Sequence, residues 1–497
     1  MNKVKNISKR RSVKINALLN GFKSLINLLF PLITFPYISR VLSVDGMGIY
    51  NFSYTYVGYF TLIAGLGINT YAVREGSKYR ENLQKIENFS SQVFSINIIS
   101  TVISYLLLIL SLLVFRNLQI YILCILIFSF QIFFTTLGAE WLYTIYEDYA
   151  YITVRSIIFK IISVILLFVF VKSKNDYLIY AGITVLATVG SNIFNYLHSK
   201  SFVHIKFTFK IDWGRHIKPI LIIFASAIMV NIFAFSDTTI LGLLKGEYAV
   251  GIYSVSVKFY SIADNMITAI LIVTIPRLAN LLGNKHMNQY YKLLSKLIDI
   301  LNIVAIPAVV GLILMSKRIV IIVSGAKYSS SALSLQIMAL AIIFSIFSWI
   351  FSDCVLIPEK KEKLLLRSTV ITALFNISCN LLIIPYLSYN GAALTTVLSE
   401  LLAMILNGYY GWPIIKEIIN KARCTNIVET IIGVIGIVII CVLTNVTIKD
   451  NFLCVLVAIP FSMLIYFLIL IFIRNEIVTK YFNGFILKLQ STIGRKG

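Results

Sequence analysis

Residues 91–114 read SQVFSINIISTVISYLLLILSLLV, a run without a single charged side chain. A helix of that length rises about 36 Å at 1.5 Å per residue, enough to cross a bilayer core of about 30 Å. Runs of the same kind recur at roughly 15–39, 47–72, 119–139, 153–171, 177–197, 219–243 and 250–273. Six more follow near 299–316, 332–357, 366–387, 390–412, 427–446 and 452–473. Composition agrees, with 58% hydrophobic and 13% charged residues in 497, against about a quarter charged in globular chains. The expectation is an all-α integral membrane protein of about 14 transmembrane helices with short connections and no water-soluble domain. An even number of spans puts both termini on one side.

The net charge of +23 raises nucleic acid as a partner, so the placement of the basic residues is the test. They follow the alternation of the loops rather than forming one patch. Placing the N-terminus inside puts most Lys and Arg in cytoplasmic segments, as the positive-inside rule requires. The reading is a multi-pass protein of the cell membrane with both termini cytoplasmic and no nucleic-acid partner. The basic stretch 1–14 precedes a full-length apolar run with no small-residue cleavage site, so it reads as the flank of a retained first span. Pro31 and Pro36 fall in that span and predict a kink or local unwinding.

Gly48-Ile49-Tyr50 opens the second span, and Gly251-Ile252-Tyr253 opens the eighth in the same setting, 203 residues later. Two six-helix lobes around a central cavity, followed by two further helices, would produce that echo. The predicted division is 1–197 for the first lobe, 198–218 for a cytoplasmic linker, 219–412 for the second lobe, and 413–497 for the last two spans and tail. In the linker Val203, Ile205, Phe207, Phe209, Ile211 and Trp213 alternate with His204, Lys206, Thr208, Lys210 and Asp212. Period two predicts an extended strip, either lying at the lipid interface or forming an ordinary solvated loop.

Polar stripes inside spans identify the candidate site, because a charge at the bilayer centre costs on the order of 2.5–3.5 kcal/mol on insertion scales. Asn16, Asn20, Lys23, Ser24 and Asn27 share one face of the first span, and Ser156, Lys160 and Ser163 repeat the pattern in the fifth. The eighth span carries Ser254, Lys258, Ser261, Asn265 and Thr268, with Asp264 alongside. The twelfth carries Thr396, Glu400 and Asn407. Asp237 and Asp353 complete the carboxylates, so all four acids belong to the second lobe.

Snorkelling is the competing reading for the lysines. Each lies about eight residues into its span, about 12 Å by helix rise, which strains that alternative. Asp353 is shallow enough to cap a helix end, and Asp237 or Asp264 could pair with a lysine instead of binding an ion. Tyr54 and Tyr59 read equally as sugar-stacking or belt residues, and Tyr50 reads as belt.

No Gly-rich phosphate loop ending in Gly-Lys-Ser/Thr occurs, and the four histidines all fall in cytoplasmic segments. The six cysteines are scattered without a Cys-x-x-Cys. No Ser/His/Asp arrangement suits nucleophilic catalysis. The expectation is a transporter of polar, anionic cargo: not an enzyme, without cofactor or metal.

Pro36 followed by Arg40-Val41-Leu42, Gly46 and Gly48-Ile49-Tyr50, then Gly67-Ile68 leading to Ala72-Val73-Arg74-Glu75, resembles the bacterial polysaccharide and oligosaccharide-lipid flippases. These O-antigen and capsule repeat-unit flippases belong to the multidrug/oligosaccharidyl-lipid/polysaccharide exporter superfamily. The resemblance implies two six-helix lobes, a groove at the extra helix pair for a polyprenyl tail, and movement of undecaprenyl-pyrophosphate-linked repeat units to the outer leaflet. Its partners would be that glycan, membrane lipid and a polysaccharide polymerase. Under it the cargo-binding candidates are Lys23, Asn20, Asn27, Lys160, Lys258, Tyr54, Tyr59 and Asn265, with the lysines on pyrophosphate. Glu400, Asp264, Asp237 and Asp353 are the ion-coupling candidates. A cation-coupled multidrug antiporter of the same superfamily is the alternative.

Overall fold

The computed structural model describes residues 30–201, 203–421 and 425–493, together with residues 21 and 26. Lys23, Asn20 and Asn27, and with them the first-span stripe, lie outside the described residues, as does Cys424. The first described helix, α1 (30–41), continues through Pro31 and Pro36 without a non-helical residue. Local unwinding at Pro36 is therefore absent. By internal packing the chain divides into two units, Met1–Ser254 and Val255–Gly497.

In the first unit, α2 (Val44–Gly65) starts where the Ser43 hydroxyl accepts the Gly46 N–H at 3.1 Å. It ends where Leu66 and Gly67 turn left-handed, with φ of 44° and 69°. The expected single span 47–72 is thus two helices, α2 and α3 (Ile68–Gly76). Positive φ favours glycine at 67, and so does space, since a Cβ there would lie 2.9 Å from Ile223 Cγ2 and 3.0 Å from the Phe224 nitrogen. Next come α4 (Leu83–Val114), capped by Asn82, and α5 (Ile122–Gly138). The short α6 (Glu140–Ile145) leads to α7 (Tyr149–Phe170), followed by α8 (Tyr177–Val189) and α9 (Asn192–Ser199). α2 packs on α4 and α5, and α8 packs on α5 and α7.

The long helix α10 (Trp213–Gly283) is interrupted at Gly246, φ 78° and ψ −175°, which separates the expected seventh and eighth spans. The second unit continues with α11 (Met287–Ser324) and α12 (Ser331–Trp349), the latter passing into a π-helix over Ile350–Leu356. In α13 (Glu362–Tyr410), Ser388 at φ 49° breaks the helix into the eleventh and twelfth spans. α14 (Trp412–Lys421), α15 (Thr425–Thr447), α16 (Asn451–Phe472) and α17 (Glu476–Ile493) complete the chain.

Ten of the described helical stretches are long and apolar enough to cross a membrane. Dividing α10 and α13 at their breaks and adding α2, 22 residues long, gives thirteen spans among the described residues, and α1 is the described end of the expected first span. Their outward faces are apolar, with Leu113 77%, Val446 79% and Phe472 89% exposed. An apolar exterior of that kind is stable only against lipid, so the protein is a multi-pass membrane protein.

The two Gly-Ile-Tyr triplets touch. A Cβ built on Gly48 would sit 1.8 Å from the Glu247 carbonyl oxygen, and one on Gly251 would sit 2.1 Å from the Val44 carbonyl oxygen. Each glycine faces the carbonyl four residues ahead of the other, so the contact is reciprocal. Only residues without a side chain permit such an approach of two helix backbones.

Candidate functional site

Three polar clusters sit among the apolar walls, the first of them within the first unit. Tyr253 donates to Asp237 Oδ2 at 3.0 Å, and Thr239, one half-turn on, donates to the Tyr59 hydroxyl at 3.3 Å. Tyr59 meets Phe235 edge-on with centroids 5.4 Å apart. The structure therefore brings two predicted residues, Asp237 and Tyr59, onto facing helices and adds Tyr253, whose role the triplet repeat alone did not indicate. Tyr54 is 42% exposed and contacts Phe128 edge-on. Tyr50 is no belt residue, being 8% exposed, stacked on Tyr180 at 4.3 Å and bonded to Thr184 at 3.0 Å. A belt tyrosine keeps its hydroxyl in water, whereas this one satisfies it on a neighbouring helix.

The second cluster lies where α6, α7 and α9 meet, at Tyr143, Tyr151 and His198. Arg155 is 9% exposed, stands 4.5 Å over the Tyr151 ring, and has no hydrogen-bond partner for its Nε and Nη1. Tyr151 stacks on His198 at 4.0 Å. The spacing of polar residues missed Arg155 because it lies at the edge of its span, where a cation usually reaches water. Lys160, five residues farther along α7, is half-buried.

The third cluster belongs to the second unit. Ser345 of α12 donates to Asp264 Oδ1 at 2.5 Å, joining two helices through a carboxylate. Lys258 is half-buried six residues before it. Three hydroxyl or amide groups of the eighth-span stripe turn back on their own helix: Ser254 to Gly251 O, Asn265 to Ser261 O and Thr268 to Asp264 O. Back-bonding of this kind satisfies a polar group in an apolar span without a ligand. Asp353 lies in the π-helix, where Ser352 donates to it at 2.6 Å. The extra residue per turn there is a local distortion that recurs at functional positions.

Glu400 is half-buried, and the adjacent Ser399 Oγ is buried without a partner. On the preceding limb of α13, Thr372, Asn376 and Asn380 form a buried stripe at four-residue spacing, with Asn380 donating to Asn376 at 3.0 Å. Their spacing was visible in the sequence, but the selection of charged stripes passed over an uncharged one. Asn407 donates to Ser348 at 3.0 Å. Among the described residues no group of three or more His, Cys, Asp or Glu is placed to hold a metal ion, and five cysteines are free thiols.

The second unit also holds an apolar cavity of about 450 Å³ at α11, α16 and α17, lined by Ile300, Val304, Leu464, Phe467, Tyr481 and Phe482 among others. The Tyr466 hydroxyl, beside it, donates to Ile303 O at 2.8 Å. Outside the spans, Lys78 at 2.7 Å and Arg74 at 3.1 Å hold the Glu75 carboxyl below its ordinary pKa.

Apolar spans with a buried and three half-buried carboxylates, a buried guanidinium and an apolar side cavity define a polytopic membrane protein of transporter type. The chain belongs to the family described as polysaccharide biosynthesis protein, whose model matches residues 14–282. It is 24% identical over 389 residues to a putative O-antigen transporter of Shigella dysenteriae, covering 76% of this chain and 95% of that protein. The fold matches the lipid II flippase MurJ in an inward closed conformation with a TM-score of 0.70 and 16% identity, over 93% of this chain and 99% of that one. An inward-facing multidrug resistance MATE family transporter matches at a TM-score of 0.61 and 14% identity, over 81% and 96%. The expected all-α fold is therefore shown.

Proposed function

We propose that this protein is a flippase moving undecaprenyl-pyrophosphate-linked oligosaccharide repeat units from the cytoplasmic to the outer leaflet of the cell membrane, for capsule or another surface polysaccharide. The observation that carries the reading is the family match over residues 14–282. The likeness to an O-antigen transporter along 76% of the chain supports it. The multidrug antiporter reading is less supported, since the MATE fold matches less of the chain, and less closely.

On this reading the cargo has three chemical parts. The pyrophosphate calls for cations, and Lys23, Lys160 and Lys258 supply point charges inside spans, joined by Arg155 with its fork of donors. Asn20, Asn27, Tyr54, Tyr59 and Asn265 suit the glycan. The isoprenoid tail calls for dry apolar lining, which the cavity beside α16 and α17 offers. Asp237, Asp264, Asp353 and Glu400 are the candidates for coupling turnover to a cation. The lobe division at 198–218 and 412, alternating access, cytoplasmic termini and a polymerase partner belong to the same proposal.

Complementation of a strain lacking the gene tests it. Wild-type protein should restore surface glycan, while Lys23→Ala and Lys258→Ala should each lower export at equal protein level. Wild-type export by both variants would sink the cationic site. Restored drug tolerance with no effect on glycan would favour the antiporter.

A further inference from the structure

The connection between α9 and α10 is an extended strip zipped onto the projecting end of α4. The His204 N–H donates to Glu87 Oε1 at 3.0 Å, the Lys206 N–H to Ser91 Oγ at 3.1 Å, and the Thr208 N–H to Ser95 Oγ at 2.8 Å. Two extended residues advance about 6.6 Å and four helical residues about 6 Å, so alternate amides of the strip meet every fourth residue of the helix. The chain then reverses. Lys210 N–H donates to Thr208 Oγ1, Ile211 N–H to Phe209 O, and Asp212 N–H returns to Gln92 Oε1 at 2.9 Å. Phe209 is thus the tip of a loop lying at the level of Ser95.

That level is the edge of the hydrocarbon. α4 has 32 residues, about 48 Å, so about 18 Å or twelve residues extend beyond a core of about 30 Å. The overhang is N-terminal, because lipid-type exposure of Val102, Leu106, Leu110, Leu113 and Phe115 runs to the other end of the helix. At the tip the side chains are turned outward: Phe209 is 87% and Phe207 44% exposed, the two rings meeting edge-on at 4.9 Å. Val203, Ile205 and Ile211 of the same strip pack inward on the core of this unit. His204, Lys206 and Lys210 are exposed around the aromatic pair.

We infer that the 203–212 loop is a membrane-surface wedge that inserts Phe207 and Phe209 at the acyl boundary and holds anionic lipid headgroups with Lys206 and Lys210. Aromatic residues flanked by basic ones are the composition that partitions to an anionic interface. The occupant is the bilayer in which the protein itself sits. Because α10 begins at Trp213, itself 44% exposed, the wedge fixes the start of that helix at the membrane boundary. This inference rests on membrane insertion and not on the nature of the cargo.

The test uses full-length protein with its cysteines replaced and an environment-sensitive dye on Phe209→Cys, in nanodiscs containing phosphatidylglycerol or phosphatidylcholine alone. Blue-shifted emission, quenched by spin-labelled lipid and shielded from aqueous iodide, is expected, with Lys360→Cys as the water-exposed reference. Iodide quenching equal to that reference would overturn the wedge. Lys206→Gln with Lys210→Gln should erase the difference between the two lipids, and its persistence would overturn the headgroup contact. Hydrogen exchange on the unmodified protein covers variants that fail to fold. Peptides over 203–212 should exchange more slowly in phosphatidylglycerol nanodiscs, and equal rates in both lipids would refute the inference.

Discussion

Replacing Gly48 or Gly251 by alanine tests the crossing of the two Gly-Ile-Tyr triplets. The new methyl would start 1.8 Å from Glu247 O in the first case and 2.1 Å from Val44 O in the second, where ordinary contact begins at 3.4 Å. The helices must part by about 1.6 Å or 1.3 Å, and the obstacle in each case is a backbone carbonyl that has no rotamer to change. Overpacking of this kind costs about 1–3 kcal/mol, which as a bias between two conformations corresponds to about 5- to 150-fold. Nitroxide labels at the exposed positions Asp45 and Tyr248 should report a longer separation in either variant, with a lower thermal midpoint. Because both methyls require the same gap, Gly48→Ala with Gly251→Ala should cost clearly less than the sum of the single variants. Unchanged label distances with an unchanged midpoint would refute the reciprocal contact. Strict additivity would show that the two glycines do not share one crossing.

Arg318 donates to Asn445 Oδ1 at 2.6 Å and to Asn445 O at 2.8 Å, fastening α11 to the last turn of α15. Arg318→Ala should destabilise by about 1.5–3 kcal/mol, the scale of a charged hydrogen bond, and a neutral result in denaturant titration would remove that fastening from the account. Ser345→Ala leaves Asp264 without the donor seen here, yet interhelical bonds in bilayers average only about 0.6 kcal/mol. A small stability loss is therefore expected, and a loss above about 3 kcal/mol would mean that Asp264 anchors the fold. Arg155→Met should raise thermal stability while lowering glycan export, because a buried guanidinium with partnerless N–H groups opposes folding. Falling stability would show that Arg155 is paired and structural.

Each span announces itself in the sequence because a lipid-facing helix needs a long apolar run whatever it packs against. The two glycine triplets were visible for a similar local reason, since close backbone approach tolerates no side chain. The break at Leu66–Gly67 went unread because a left-handed pair inside an apolar run changes no hydropathy. The π-helix around Asp353 was equally silent, as its geometry comes from packing rather than composition. Arg155 went unread and Tyr50 was misread as a belt residue, because depth depends on which neighbours cover a residue.

Alternation in 203–213 dictated an extended strip, but only the structure chose the partner for its amides. Glu87, Ser91 and Ser95 recur every fourth residue on α4, and that register carries the strip down to the level of Ser95. The sequence by itself determined an all-α membrane protein, its spans, and which polar residues interrupt them, because hydropathy and helical period are local properties. Tertiary structure decided that the two triplets meet each other, that Tyr253 answers Asp237 and Ser345 answers Asp264, and which aromatic residues of the linker face outward. Those outcomes depend on residues far apart in the chain, and no spacing rule along one helix encodes the partner on another.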